Sequence, residues 1–106
     1  MNKPIVNLQE WDYLNRLFSY YEKLLSSKTK QYLEEYLINN LSYNEIATNY
    51  QVSKHAVYDQ IKKGIIQLKD YEALLQLLEQ SNQRMVLYQM IDDEQLKAKL
   101  INLETK

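Results

Sequence analysis

An all-α fold, a small helical bundle built around a helix-turn-helix and ending in long helices, follows from three features of this 106-residue sequence. One Gly and one Pro are too few for hairpin turns or phosphate-cradling loops, while Leu, Glu, Gln and Lys, which favour helix, are abundant. Apolar residues recur at three- and four-residue steps over most of the length, the period of a helix face. Two short periodic runs in the middle, starting after Ser42 and after Ser53, are separated only by a break at Gln51–Val52.

Trp11, Leu14, Phe18, Tyr21 and Leu25 mark the apolar stripe of a first helix, preceded by Pro4 and Asn7. Ser26–Ser27 interrupts it. Ser27 or Ser26 then caps a second helix that carries Tyr32, Leu33, Tyr36 and Leu37 and stops at Asn39–Asn40, because Asn tolerates the left-handed conformation of a helix C-terminus. These two helices, residues 1–41, form a platform for the motif at 42–69. Ser42 stands at a cap position with Glu45 three residues on, so each can satisfy a backbone amide of the other, and Leu41 and Ile46 bracket the pair as a hydrophobic staple. The third helix, Tyr43 to Tyr50, is too short to stand alone and must be held by Ile46 and Ala47. Ala47 is small where a second helix has to cross closely. Gln51 occupies the turn position usually given to Gly, and a non-Gly residue at positive φ costs about 1 kcal/mol, so a looser turn is expected.

Ser53 caps the fourth helix, with Ala56, Val57 and Ile61 inward. Its spacing continues through Ile65 and Leu68 into Tyr71, Leu74, Leu75 and Leu78 without a loop signal, and Gly64 is the expected bend. Glycine there costs about 1 kcal/mol relative to Ala, which a close packing contact or a joint between two helices must offset. The run 71–78 is apolar on more than one face, which calls for extra helices or a partner chain. A further helix holds Met85, Val86, Leu87, Met90 and Ile91; Asp92, with Gln95 at the return position, caps a last one bearing Leu96, Leu100 and Leu103. The whole reads as one domain, with residues 70–106 a candidate dimer surface.

Catalysis has little to stand on. There is no Cys, and the lone His55 has no second His and no nearby Ser dyad to make it a metal ligand or catalytic base. Glu34–Glu35 and Asp92–Asp93–Glu94 are adjacent residues that point apart on a helix, and the second cluster is explained by capping. No enzyme, metal or cofactor is expected. No apolar run approaches the ~20 residues of a membrane span, and Met1 to Pro4 lacks the apolar core of a signal peptide, so a soluble cytoplasmic protein without membrane insertion is expected.

Binding is the remaining class. With Ala56, Val57 and Ile61 inward, the helical period turns Lys54, His55, Tyr58, Asp59, Lys62 and Lys63 outward. The lysines suit phosphates, while His55 and Tyr58 suit base edges or stacking. Asp59 is awkward beside phosphate unless it accepts from a cytosine amine or pairs with Lys62 or Lys63; otherwise the face serves a protein. The net charge is −1, but residues 42–69 carry four lysines against Glu45 and Asp59, a thin basic excess in the right place. The abundance of tyrosine, ten in all, reads as packing and not as a base-stacking surface, with Tyr32, Tyr36, Tyr50 and Tyr71 near inward positions.

The stretches Leu14 to Leu25, Ser42 to Ala47, Val52 to Lys62 and Leu68 to Glu72 together resemble the YlxM family of small bacterial proteins. The central part alone is also similar to the promoter-reading helix-turn-helix of sigma factors; Tyr58–Asp59 with Ile61–Lys62 and the distal Tyr71–Glu72 point to the YlxM family. Gly64 and Gln51 depart from the pattern. The resemblance implies an all-helical fold, and it implies a gene beside signal recognition particle components and a role in regulating that targeting pathway. The expected function is a regulatory, DNA-binding type of helix-turn-helix protein, with duplex DNA as ligand and a homodimer formed through Leu74 to Leu78. The alternative is a partner that modulates the signal recognition particle, through its protein or its RNA, without binding DNA.

Overall fold

Asn7 opens the first helix, its side chain accepting from the Glu10 amide at 2.7 Å, and the chain then runs helix after helix. The computed structural model describes residues 7–104, so Pro4 lies outside the described residues. Within them the elements are α1 (Leu8–Tyr21), α2 (Ser27–Leu33), α3 (Tyr43–Tyr50), α4 (Lys54–Leu75), α5 (Leu77–Tyr88) and α6 (Glu94–Glu104), with no strand. The body is elongated, 54 × 24 × 23 Å.

Leu14, Phe18, Tyr21 and Leu25 are buried as the stripe requires, and Ser26 is the residue that caps α2, accepting from the Thr29 amide. One feature of α2 has no counterpart in the sequence pattern. It continues through Glu34–Ile38 as a wide π-helical turn, with the Asn39 amide reaching back five residues to the Glu34 carbonyl at 3.1 Å. Asn40, at φ 58°, then ends it in the left-handed region.

The long helix α4 corrects two expectations. It runs unbroken through Gly64, which is therefore a packing contact and not a bend. A Cβ on Gly64 would lie 2.5 Å from Leu33 Cδ1 and 2.8 Å from Thr29 Cγ2, so the missing side chain is what lets α4 lie directly on α2. The helix also does not continue to Leu78: Gln76, at φ 55° and ψ 33°, breaks it and starts α5.

That corner is held by side chains from three elements. The Glu72 carboxylate accepts from the amides of Leu78 (3.1 Å) and Glu79 (2.9 Å), while the Tyr21 hydroxyl accepts from the Leu77 amide (3.0 Å) and donates to Glu72 Oε1 (2.7 Å). Three amides at the start of α5 are thus satisfied without a capping side chain from Gln76. Tyr71 packs on Tyr21 and donates to the Leu24 carbonyl at 3.1 Å. The distal Tyr71–Glu72 pair is a structural corner.

Asp93, and not Asp92, caps α6: its Oδ1 accepts from Gln95 and Leu96. The far end of α6 returns to α5, where Glu104 receives two bonds from Arg84 (2.6 and 2.9 Å), one from Tyr88 (2.6 Å) and one from Ser81 (3.0 Å). These donors, Arg84 first and Tyr88 second, hold the Glu104 carboxyl down at about 2. Apolar burial is thinner in this half. Leu78 is buried, but Leu74, Val86, Leu87, Met90 and Leu103 are exposed, and no described residue of α6 is buried.

Candidate nucleic-acid interface

The two serine-capped helices form the expected motif. The Glu45 amide donates to Ser42 Oγ at 3.1 Å and the Ser42 amide donates to Glu45 Oε1 at 2.8 Å, so the capping box is complete. Ile46 and Ala47 are buried below it. The turn is closed and not loose. Gln51 takes the left-handed conformation (φ 56°, ψ 45°), its amide bonds the Thr48 carbonyl at 3.3 Å, and the Val52 amide bonds the Ala47 carbonyl at 3.1 Å. This pair of bonds is a Schellman closure, which supplies the stabilisation that Gly would otherwise make unnecessary. Ser53 Oγ then accepts from the Ala56 amide at 3.0 Å and starts α4, with Val57 and Ile61 fully buried and Ala56 partly so.

Two further contacts seat α4. Gln60 accepts from the Thr29 hydroxyl at 3.0 Å, and Thr29 in turn accepts from Ser26 at 2.9 Å, tying the helix to the start of α2. An aromatic file runs beneath the motif: Trp11 against Tyr36 (5.3 Å between centroids), Tyr36 stacked on Tyr43 (5.3 Å, 16°), and Tyr43 edge-on to Tyr58 (5.5 Å, 86°). Burial pushes the Tyr43 phenol up to about 12.

Tyr58 is the site residue the structure moves. It is half-buried against Tyr43 instead of standing free, and Lys62 Nζ rests 5.9 Å from its ring centroid. The other candidates are placed as the period requires. His55, Asp59, Lys62 and Lys63 are exposed and Lys54 is partly so. At about 100° per residue, His55, Asp59 and Lys62 share an arc of about 60°, while Lys54 and Lys63 lie on opposite flanks, about 180° apart. Asp59 has a partner the sequence reading did not weigh: His55 Nε2 lies 3.3 Å from its carboxylate one turn earlier, an exposed pair that is ionic only when the imidazole is protonated. Lys69 is committed to Glu10 of α1 at 3.0 Å, which leaves Lys54, Lys62 and Lys63 as the basic groups of this face.

The electrostatics of the helix start point the same way. The first turn of α4 holds no acidic residue and carries Lys54 and His55 instead, opposite to the preference of a helix N-terminus. On α3, Asn44, Thr48 and Asn49 are exposed and edge a shallow depression with Leu41 and Glu45. The sequence reading passed over these three residues; their polar outward spacing on the first helix of the motif was the available signal. Among the described residues, no three side chains of metal-ligating type come together. No described helix is long and apolar enough to cross a membrane.

The family of "Putative helix-turn-helix protein, YlxM / p13 like", UPF0122, matches residues 8–106. The chain belongs to this family. It is 36% identical over 88 residues to the UPF0122 protein YlxM of Bacillus subtilis (strain 168), an alignment covering 83% of this chain and 80% of that protein. It is also 40% identical over 92 residues to UPF0122 proteins of Bacillus cereus (strain AH187) and Bacillus thuringiensis subsp. konkukian (strain 97-27), covering 83% of this chain and 84% of each. The family's description is that of a helix-turn-helix protein.

Proposed function

We propose that this chain is a regulatory helix-turn-helix protein that lays the first turns of α4 in the major groove of duplex DNA. The observation that carries this reading is the layout of α4: a rigidly seated helix with a central His55–Asp59–Lys62 strip and lysines on both flanks. A helix in the major groove has a phosphate strand on each side, so Lys54 and Lys63 take phosphates while the strip meets base edges. Asp59 is suited to a cytosine amine, with His55 as its alternative partner. A phosphate near the start of α4 also relieves the unfavourable placement of Lys54 and His55 at a positive helix end. Asn44, Thr48 and Asn49 of α3 suit the DNA backbone that the first helix of such a motif crosses.

The molecule acts as a homodimer, so that two α4 helices meet successive grooves. Of the Leu74 to Leu78 run expected to form the dimer, Leu78 is buried in this chain's own core, so the surface left to cover is Leu74, Leu75 and Leu77 with Val86, Leu87 and Met90, which are exposed. Residues 1–106 act as one domain, with the signal recognition particle pathway as the regulated process, following the resemblance of the sequence. The test is a fluorescence titration with duplex DNA at ~50 and ~200 mM salt: two phosphate contacts from each copy of the dimer predict that log Kd rises with log salt at a slope of about 4. Absence of binding at the lower salt contradicts the proposal.

A second reading has its own support in the overall charge of −1 and in Asp59 at the centre of the face. Here the Tyr58–Asp59–Lys62 surface docks on the protein or RNA of the signal recognition particle. Pull-down with those components, repeated with Lys62→Glu and Tyr58→Ala, separates the readings; indifference to both changes removes the face from this interaction.

A further inference from the structure

We infer that Glu72, together with Tyr21, is a positioning pair that fixes the direction in which the α5–α6 hairpin leaves the helix-turn-helix. The corner between α4 and α5 consists of one non-Gly residue in the left-handed region, Gln76, which supplies no capping side chain. The backbone there contributes one bond, from the Gln76 amide to the Glu72 carbonyl at 2.8 Å, and Leu78 of α5 is buried in the core. The direction of α5 is fixed on top of this by a carboxylate one turn back on α4 and a phenol from α1, which between them receive the first three amides of α5. Glu72 also accepts the Tyr21 hydroxyl, so α1, α4 and α5 are locked by one shared group. A buried phenol with a charged acceptor is a directional bond, stronger than a neutral pair. A further polar tie of α5 to α1, Arg16 to Asn82 at 2.8 Å, is exposed and cannot define the angle by itself.

The consequence rests on the dimeric DNA-binding reading: if two copies meet through the C-terminal half, the angle at this corner sets the distance between the two α4 helices. Glu72 and Tyr21 then determine half-site spacing while touching no DNA.

The test uses the absence of native cysteine. Spin labels are placed at Asn49→Cys on α3 and Gln83→Cys on α5, both exposed positions, and the chain is diluted with unlabelled protein so that only distances within one chain are read. The expected result is a single narrow distance distribution that broadens or splits in both Glu72→Ala and Tyr21→Phe, and stays closer to the parent in Glu72→Gln, whose carbonyl can still accept. Tyr21→Phe keeps the ring and hence the packing, so it reports on the hydroxyl even where Glu72→Ala loses folded protein. Unchanged narrow distributions in folded Tyr21→Phe and Glu72→Ala overturn the inference, whatever their melting temperatures. Duplexes with two half-sites at varied spacing are then titrated: relaxed spacing preference supports the consequence, and unchanged preference overturns it. Failure of the parent to bind any duplex contradicts the DNA-binding reading and leaves the distance result standing.

Discussion

Gly64→Ala sets two opposed effects against each other, and the structure decides the sign. In an exposed helix interior, Ala is favoured over Gly by about 1 kcal/mol. Here the added methyl would lie 2.5 Å from Leu33 Cδ1, 2.8 Å from Thr29 Cγ2 and 3.0 Å from Leu33 Cγ. Leu33 is fully buried in a close-packed interior, and Thr29 is β-branched, buried, and bonded to both Ser26 and Gln60. Overpacking of this kind costs about 1–3 kcal/mol, and two contacts below 3 Å against confined atoms place it near the upper end. The net expectation is destabilisation by about 2 kcal/mol, seen as a fall in melting temperature of roughly 8 °C for a chain of this size. Thermal unfolding followed by far-UV circular dichroism measures it. A stabilised Gly64→Ala protein would refute the close α2–α4 contact, because propensity alone would then be operating.

Other outcomes follow from the same geometry. Ser42→Ala and Ser53→Ala should each lower stability by about 1 kcal/mol in chemical denaturation, since each removes a bonded helix cap. Acid should weaken the α5–α6 contact: the folded-state value of Glu104, about 2, lies below its ordinary 4.5, so its contribution is full above 4.5 and is lost as pH falls toward 2. Glu104→Gln should flatten that limb of a stability-against-pH curve, and an unchanged limb would count against the cluster. At high pH the sign reverses, because burial raises Tyr21 and Tyr43 to about 12; their contribution is full below pH 10 and is lost toward 12, with phenolate absorbance as the readout. Lys63→Ala should reduce the salt slope of duplex binding by about two, one for each copy of the dimer, and weaken binding on all sequences alike.

Caps and period were legible in the sequence because they are local. Ser42 with Glu45, Ser53, and the inward set Ile46, Ala47, Val57 and Ile61 follow from spacing alone, and the structure places each of them as read. What escaped were relations between distant segments. Gly64 was seen to need an explanation, but only the approach of Leu33 and Thr29 shows that it is a contact and not a joint. The break at Gln76 has no Gly or Pro to announce it, and the partners that make it tolerable, Glu72 and Tyr21, are supplied by tertiary structure. Asp92 and Asp93 are equivalent as caps in sequence, and one residue of register separates them. At the site, helical phase correctly turned Lys62 and Lys63 outward, but the burial of Tyr58 depends on Tyr43, a residue that sequence treated only as a helix start.

The most direct measurement of the central claim is the amide NMR spectrum of the labelled protein titrated with duplex DNA at ~50 mM salt. The account predicts shifts concentrated at Lys54, His55, Asp59, Lys62 and Lys63, with smaller ones at Asn44, Thr48 and Asn49. Shifts confined to α5 and α6, or none at all, would contradict it.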